Sequence, residues 1–307
     1  MSGDARHLAS LTTELVNPAC AHIDELDPLA ALRVMNEQDA TVATAVASVL
    51  PEVAGLVDAT VERMLGGGRL FNVGAGTSGR MGMLDASECP PTFGVSPEMV
   101  QGVLAGGDGA FRSAAEEAED DAEAGEEDLA RRGVCERDVV VGIAASGRTP
   151  YVVGALDYAR KAGALTGAIS CVADAELSSH VAYPIECVTG PEAICGSTRL
   201  KAGTAQKMLL NMISTEVMVK LGKVYGNLMV GIQPTNEKLV MRARRIVALA
   251  TECSAGRAAE ALEASGQDVK VAICMVLLDA SADACRDELL AHGGNVAAAI
   301  RALKGCS

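Results

Sequence analysis

Between Leu70 and Val188, short apolar runs alternate with longer stretches of helical periodicity, which limits this part of the chain to a parallel sheet covered on both faces. Leu70 to Val73, Val100 to Ala105, Val139 to Ala144 and Leu165 to Cys171 predict strands, and Tyr183 to Val188 is a weaker candidate. Ala110 to Arg132 and Pro150 to Ala162 predict helices between them. Sheets of this kind bind ligands beyond the carboxyl ends of their strands, so the loops leaving the strands are where functional residues belong.

Both flanks read as helix. Asp27-Pro28 is an N-cap followed by proline at the first helical position, and Asp39 can start another helix. Apolar residues from Val42 to Leu65 recur at three- and four-residue spacing, with Pro51 kinking or splitting the run and Gly66-Gly67-Gly68 ending it. Ala202 to Leu221 predicts a long apolar helix. Asn236 to the end reads as several short helices punctuated by Gly256, Gly266, Gly293 and Gly294.

Composition removes several function classes. The chain has 307 residues, the length of about two domains, and a net charge of −14, which disfavours nucleic acid and anionic membrane surfaces as partners. With no Trp, four Tyr and three Phe, it also lacks platforms for stacking bases. The longest uncharged run, Val224 to Asn236, is 13 residues and falls short of the roughly 20 that a membrane span requires. Met1 to Arg6 shows no signal-peptide pattern, so a cytoplasmic location is expected. The ten cysteines include no C-x-x-C pair and read as reduced, mostly buried thiols; Cys89 and Cys195 are expected to be packing residues. The four histidines are isolated from metal-ligand spacings, so neither a metal nor another cofactor is expected.

The first strand runs into Gly74-Ala75-Gly76-Thr77-Ser78-Gly79-Arg80, which fits G-x-G-x-x-G and so allows a dinucleotide site. Pro90-Pro91 is expected to cut the following helix to about ten residues, no strand-end acid for a ribose follows, and hydroxyls crowd the loop. Thr77 and Ser78 beside glycine amides suit a phosphate monoester, whose oxygens accept several hydrogen bonds at a helix N-terminus. A plain structural turn is the third reading. Ala145-Ser146-Gly147-Arg148-Thr149-Pro150 repeats this chemistry after the third strand, where the simpler reading is a helix cap. The segment Gly196 to Lys207 adds Ser197, Thr198, Arg199, Lys201, Thr204 and Lys207 just before a hydrophobic helix. An acidic chain needs local cations to hold an anion, and Arg80, Arg148, Arg199, Lys201 and Lys207 all fall in these three segments.

Among the carboxylates, Glu88 stands just beyond the first loop in Leu84-Asp85-Ala86-Ser87-Glu88-Cys89. Glu119 lies in an acidic stretch, Glu116 to Asp128, with nine Asp or Glu in 13 residues, where spacing alone suggests a solvated helix face.

The strings GAGTSGRMGMLDASECPPTFG, VVGIAASGRTPYVV and GSTRLKAGTAQKMLLNM together resemble N-acetylmuramic acid 6-phosphate etherases of the sugar isomerase (SIS) fold group. The likeness extends through Thr13-Glu14, Asn17-Pro18, Met35-Asn36, Ala118-Glu119-Asp120 and Gly222 to Met229. It departs at Met229-Val230-Gly231-Ile232-Gln233-Pro234, where the family usually has Met-Val-Asp.

The resemblance implies an α/β fold: a SIS-type parallel sheet sandwiched by helices, with helical N-terminal and C-terminal flanks. Residues 1–59 would form the N-terminal helical region, 60–223 the sugar-phosphate-binding domain and 224–307 the C-terminal helical region. It also implies cleavage of the lactyl ether of N-acetylmuramic acid 6-phosphate by elimination and hydration, during recycling of cell-wall sugars, by a homodimer. Glu88 matches the catalytic acid and Glu119 the second active-site glutamate. Thr77, Ser78, Arg80, Ser146, Gly147, Arg148, Thr149, Ser197 and Lys207 would bind the sugar phosphate. The acid must hold its proton near neutral pH, which asks for burial or a nearby anion. A non-catalytic SIS sensor that regulates a partner enzyme would keep the phosphate loops and need neither glutamate. An aldose-ketose isomerase and, more distantly, a nicotinamide oxidoreductase are the remaining alternatives.

Overall fold

The computed structural model describes residues 12–112, 116–232, 234 and 236–305. Met1 to Arg6, which lacks the signal-peptide pattern, lies outside the described residues, as do His7 and Cys306. The chain divides into two compact units. One comprises the residues up to Ser87 together with Glu98–Ser214, and the other Glu88–Pro97 together with the residues from Thr215 onward.

The first unit opens with three helices, α1 (Pro28–Asp39), α2 (Val42–Ser48) and α3 (Leu50–Leu65). Asp27 starts α1 as expected, its carboxylate accepting the amides of Leu29 and Ala30 at 2.9 and 3.0 Å. Pro51 does split the apolar run, and it sits in the first turn of α3, where an amide would have no helical partner.

Five strands follow: β1 (Leu70–Gly74), β2 (Val100–Leu104), β3 (Val139–Ile143), β4 (Leu165–Ser170) and β5 (Tyr183–Glu186). They pair in parallel in the order β2-β1-β3-β4-β5. The connecting helices are α4 (Gly76–Phe93), α5 (Ala122–Arg131) and α6 (Pro150–Lys161), and α7 (Lys201–Lys220) follows the sheet. Phe71, Val73, Val140 and Ala168 point to one face, where they share a core with Leu129 of α5 and Val152, Ala155 and Leu156 of α6. The alternate strand residues point the other way. A Cβ at Gly82 of α4 would come 3.0 Å from Asn72, and one at Gly167 would touch Leu56 of α3 at 3.0 Å, so these helices cover the second face.

Two expectations need correction. Ala110 to Arg132 is not one helix: short 3-10 turns at Asp108–Phe111 and Glu116–Glu119 precede α5, and residues 113–115 lie outside the described set. Like charges at helical spacing oppose a longer helix, and Asp121 starts α5 late by accepting the amide of Ala124 at 2.9 Å. The helix after the first loop is also longer than expected. α4 runs for 18 residues through Pro90 and Pro91, because the Pro90 carbonyl still accepts the Gly94 amide at 2.9 Å, and it stops where Gly94 turns to φ +66°.

The second unit is helical, with α8 (Glu237–Thr251), α9 (Ala255–Ala264), α10 (Val269–Leu278), α11 (Ala282–Ala291) and α12 (Val296–Gly305). Asn236, Ser254, Asp268 and Ser281 each accept an amide of the helix they begin. Val247, Leu262, Ile273 and Val296 are buried in its separate core. No single described helix is long and apolar enough to cross a membrane.

Candidate active site

The sheet order reverses at β1, which has β2 on one side and β3 on the other, and a parallel sheet opens a ligand crevice at such a point. Gly74 pairs with Ile143 at the carboxyl ends of β1 and β3, so the two hydroxyl loops leave strands about 5 Å apart. Thr77 and Ser78 therefore share one edge of the sheet with Ser146, Gly147 and Thr149.

Three glycines shape the first loop. Gly76 takes φ +51°, and Gly74 and Gly79 approach so closely that a Cβ at Gly79 would lie 2.4 Å from the Gly74 carbonyl oxygen. The turn places Thr77 and Ser78 in the first turn of α4, where backbone amides lack helical acceptors. Ser78 is buried and Thr77 half-buried. Glu119 reaches this loop from the 3-10 turn before α5: a Cβ at Gly76 would stand 2.7 Å from its Oε1. The half-buried Glu119 is thus not on a solvated helix face.

The second loop is braced from below. Gly147, at φ +68°, accepts the Leu177 amide at 2.9 Å, and Ala145 accepts the Cys171 amide at 3.0 Å. A Cβ at Gly147 would meet Ala175 Cβ at 2.5 Å. The Thr149 hydroxyl does not cap α6 although the residue stands at that position. Ser146 and Arg148 are half-buried beside it.

The third segment comes alongside the first. A Cβ at Gly203 of α7 would lie 3.4 Å from Thr77 Cγ2, and farther along Asn211 and Ser214 of α7 donate to Asp85 of α4 at 2.7 and 2.9 Å. The helices therefore run side by side in the same direction. Burial pushes the Asp85 carboxyl up, against the pull of these hydrogen bonds and of the Lys207 charge. Ser197 is half-buried just ahead of α7, and Lys207 is exposed on it. Glu192, fully buried, accepts the amides of Lys201 and Ala202 at 2.8 and 2.9 Å and so occupies the start of α7. Burial raises its pKa, opposed by those two amides and the Lys201 charge.

The remaining basic residues are dispersed. Lys201 is buried and its ammonium lies 3.4 Å from Gln38 Oε1, while Arg199 is exposed. Arg80 donates to the carbonyls of Phe111 and Ala110 at 3.2 and 2.8 Å, tying α4 to the segment that leads to Glu119. Glu88 is exposed on α4, ten residues beyond Ser78 in the chain. The two glutamates therefore differ: Glu119 is half-buried at the first loop, and Glu88 is exposed and falls in the second unit. Cys195 is not a packing residue. It is exposed, and its thiol lies 3.1 Å from the Glu14 carbonyl oxygen.

Sequence reading missed Glu192 and the Asp85 hydrogen bonds, which have no local spacing signature. It also left Glu14 without a structural role. A Cβ at Gly196 would stand 3.0 Å from Glu14 Oε2, which sets that carboxylate against the third segment.

Comparison with known proteins follows the same outline. Residues 52–160 match the family described as the glucokinase regulatory protein N-terminal SIS domain. An N-acetylmuramic acid 6-phosphate etherase of Clostridium botulinum is 51% identical over 95% of this chain and 97% of its own length. One from Halalkalibacterium halodurans is 53% identical over 96% and 99%. Among solved structures, a phosphoheptose isomerase from Francisella tularensis superposes on 63% of this chain and 98% of its own, with a TM-score of 0.49 and 17% identity.

Proposed function

The chain belongs to the N-acetylmuramic acid 6-phosphate etherase family, and on that footing we propose that it cleaves the D-lactyl ether of N-acetylmuramic acid 6-phosphate. The products are N-acetylglucosamine 6-phosphate and D-lactate, and the enzyme is a carbon–oxygen lyase acting in the cytoplasm on recycled cell-wall sugar. The observation that carries the reading is the meeting of two hydroxyl loops and the Glu119 carboxylate at one crevice of the sheet.

The phosphate is held by Thr77, Ser78, Ser146, Thr149 and Ser197, with Gly147 setting the turn between Ser146 and Arg148 and charge from Arg148 and Lys207. Arg80 assists through its hold on the segment before Glu119. Opening of the sugar ring exposes an aldehyde at carbon 1, which acidifies the proton on carbon 2. Glu119 takes that proton, the bond from carbon 3 to the ether oxygen breaks, and Glu88 protonates the departing lactate oxygen. Water then adds at carbon 3 of the unsaturated aldehyde, returning a proton to carbon 2. Each acid or base step contributes typically about 100- to 10,000-fold.

Glu88, exposed in one chain, is delivered by a second copy of the chain, making the enzyme a homodimer. α1 supports the same reading: none of its residues is buried within one chain, and Leu29 and Leu32 remain 58% and 61% exposed.

The test is incubation with N-acetylmuramic acid 6-phosphate and an enzymatic assay for D-lactate. Turnover by the unmodified protein, lost in Glu88→Ala with binding retained, is the expected result. Tight binding without lactate release would point instead to a sugar-phosphate sensor and overturn the etherase reading.

A further inference from the structure

The second unit holds a cleft of about 450 Å³, lined on one side by the turn between α9 and α10 and on the other by the stretch from Lys223 to Pro234. It lies wholly within that unit, and its volume falls in the small-molecule range of roughly 300–1,000 Å³. Two lysines line it. Lys270 stands in the first turn of α10 and Lys223 follows the end of α7.

Neither lysine has a carboxylate partner among the described residues. The Lys270 ammonium donates once, to the Gly294 carbonyl oxygen at 3.0 Å. One oxygen of the Asp268 carboxylate, the acid lining the cleft, caps α10: Oδ1 accepts the amides of Lys270 and Val271 at 2.9 and 3.1 Å. Nearby Arg286 is committed to Asp283 and to the Ser265 carbonyl. Burial first, and the Lys223 charge second, hold the Lys270 ammonium below the usual lysine range, while Asp268 acts in the opposite direction. Two like charges in a partly buried cleft repel each other, and an anion between them relieves both costs.

One wall is closely packed backbone. A Cβ at Gly231 would strike the Phe93 carbonyl oxygen at 2.1 Å, and one at Gly94 the Gly231 carbonyl oxygen at 1.9 Å, so these two segments meet with no side chain between them. On the opposite wall, Gly266 and Gln267 both adopt left-handed conformations, φ +73° and +70°. Gln267 is not a glycine, and its backbone is strained at the mouth of the cleft.

We propose that this cleft binds the phosphate group of a small phosphomonoester between Lys223 and Lys270. A doubly charged group matches two ammonium donors, and the cleft exceeds what phosphate alone would fill. None of its lining residues belongs to the hydroxyl loops of the first unit, and the proposal does not depend on the etherase reading.

The experiment is isothermal titration of the full chain carrying Ser78→Ala and Ser146→Ala, so that the loops of the first unit contribute least. Inorganic phosphate and glucosamine 6-phosphate are the two probes. We expect one site per chain, weakened about tenfold by Lys223→Gln and again by Lys270→Met, since each removes a charge-assisted contact. Tighter binding of the sugar ester assigns the rest of the cleft to its carbon body, and equal binding assigns recognition to phosphate itself; both support the site. Because the Lys270 stem is partly buried, Lys223→Gln decides the matter if Lys270→Met fails to fold. Binding indifferent to the lysine replacements, or no heat from either probe at about ten millimolar in folded protein, overturns the proposal.

Discussion

The Glu119 carboxylate lies against Gly76: a Cβ added at that glycine would stand 2.7 Å from Oε1. Gly76→Ala therefore makes two changes at once. The left-handed backbone, φ +51°, costs alanine about 1 kcal/mol, and the carboxylate must swing away. Denaturant unfolding is expected to show that small loss. Lactate release should fall mainly in kcat, with KM less affected, because the proposed base moves while the hydroxyls proposed to hold the phosphate remain. Unchanged turnover would mean that this carboxylate has no part in the chemistry.

Glu88 and Glu119 are expected to complement each other across subunits. Glu88→Gln and Glu119→Gln should each lose about 100-fold or more of activity, with the fold retained. When the two purified variants are mixed and allowed to exchange subunits, about a quarter of the unmodified activity should return, since half of the dimers then carry one intact site. Gel filtration with the lactate assay checks this. A mixture as inactive as its components would place both glutamates in one chain's site.

Gly147→Ala should be more damaging than Gly76→Ala. Its Cβ would run into Ala175 Cβ at 2.5 Å, at φ +68°, and neither partner is the movable end of a long side chain. A loss of about 2–3 kcal/mol is expected, together with weakened sugar-phosphate binding, because Ser146 and Thr149 flank the position. Thermal unfolding and calorimetric binding measure the two effects separately.

Two buried aspartates titrate in opposite senses. Burial pushes the Asp138 carboxyl up, but Arg69, bound at 2.7 and 3.1 Å, and the amides of Arg69 and Cys135 outweigh it, leaving the pKa below its ordinary value. Its contribution is present above the ordinary carboxylate range and is lost as pH falls through the depressed folded value. Asp85 is raised, chiefly by burial, so the folded state loses stability as pH climbs from the ordinary value through the raised one. Asp138→Asn should cost about 3 kcal/mol near neutrality and flatten the acid limb of a stability–pH profile. Asp85→Asn should flatten the opposite slope. Urea unfolding between pH 3 and 8 distinguishes the two.

The strands were legible because strands covered on both faces are continuous apolar runs, and each expected strand overlaps an observed one to within a residue or two at its ends. The positions of Ser78 and Ser146 followed from the rule for strand-end loops. What remained hidden depended on distance in the chain. Asp85 and Ser214 are 129 residues apart, and no period links them. Glu119 sits in a run of acids whose repetition conceals, from spacing, the one that folds back to the loop; only the family resemblance singled it out. Arg80 and Lys201 lay in the expected segments, but carbonyls and the half-buried Gln38 amide oxygen draw their charged ends elsewhere, a choice only the folded backbone makes.

The paired bonds from Asn211 and Ser214 to Asp85 give α4 and α7 a fixed longitudinal register. A slip of one residue, about 1.5 Å, would sever both. Thr77 and the head of α7 are thus the two jaws of a caliper whose opening is set some two turns away from the jaws themselves. Such an instrument gauges its ligand instead of adapting to it, so selectivity for one sugar ester should be adjustable by substitutions that never touch the sugar.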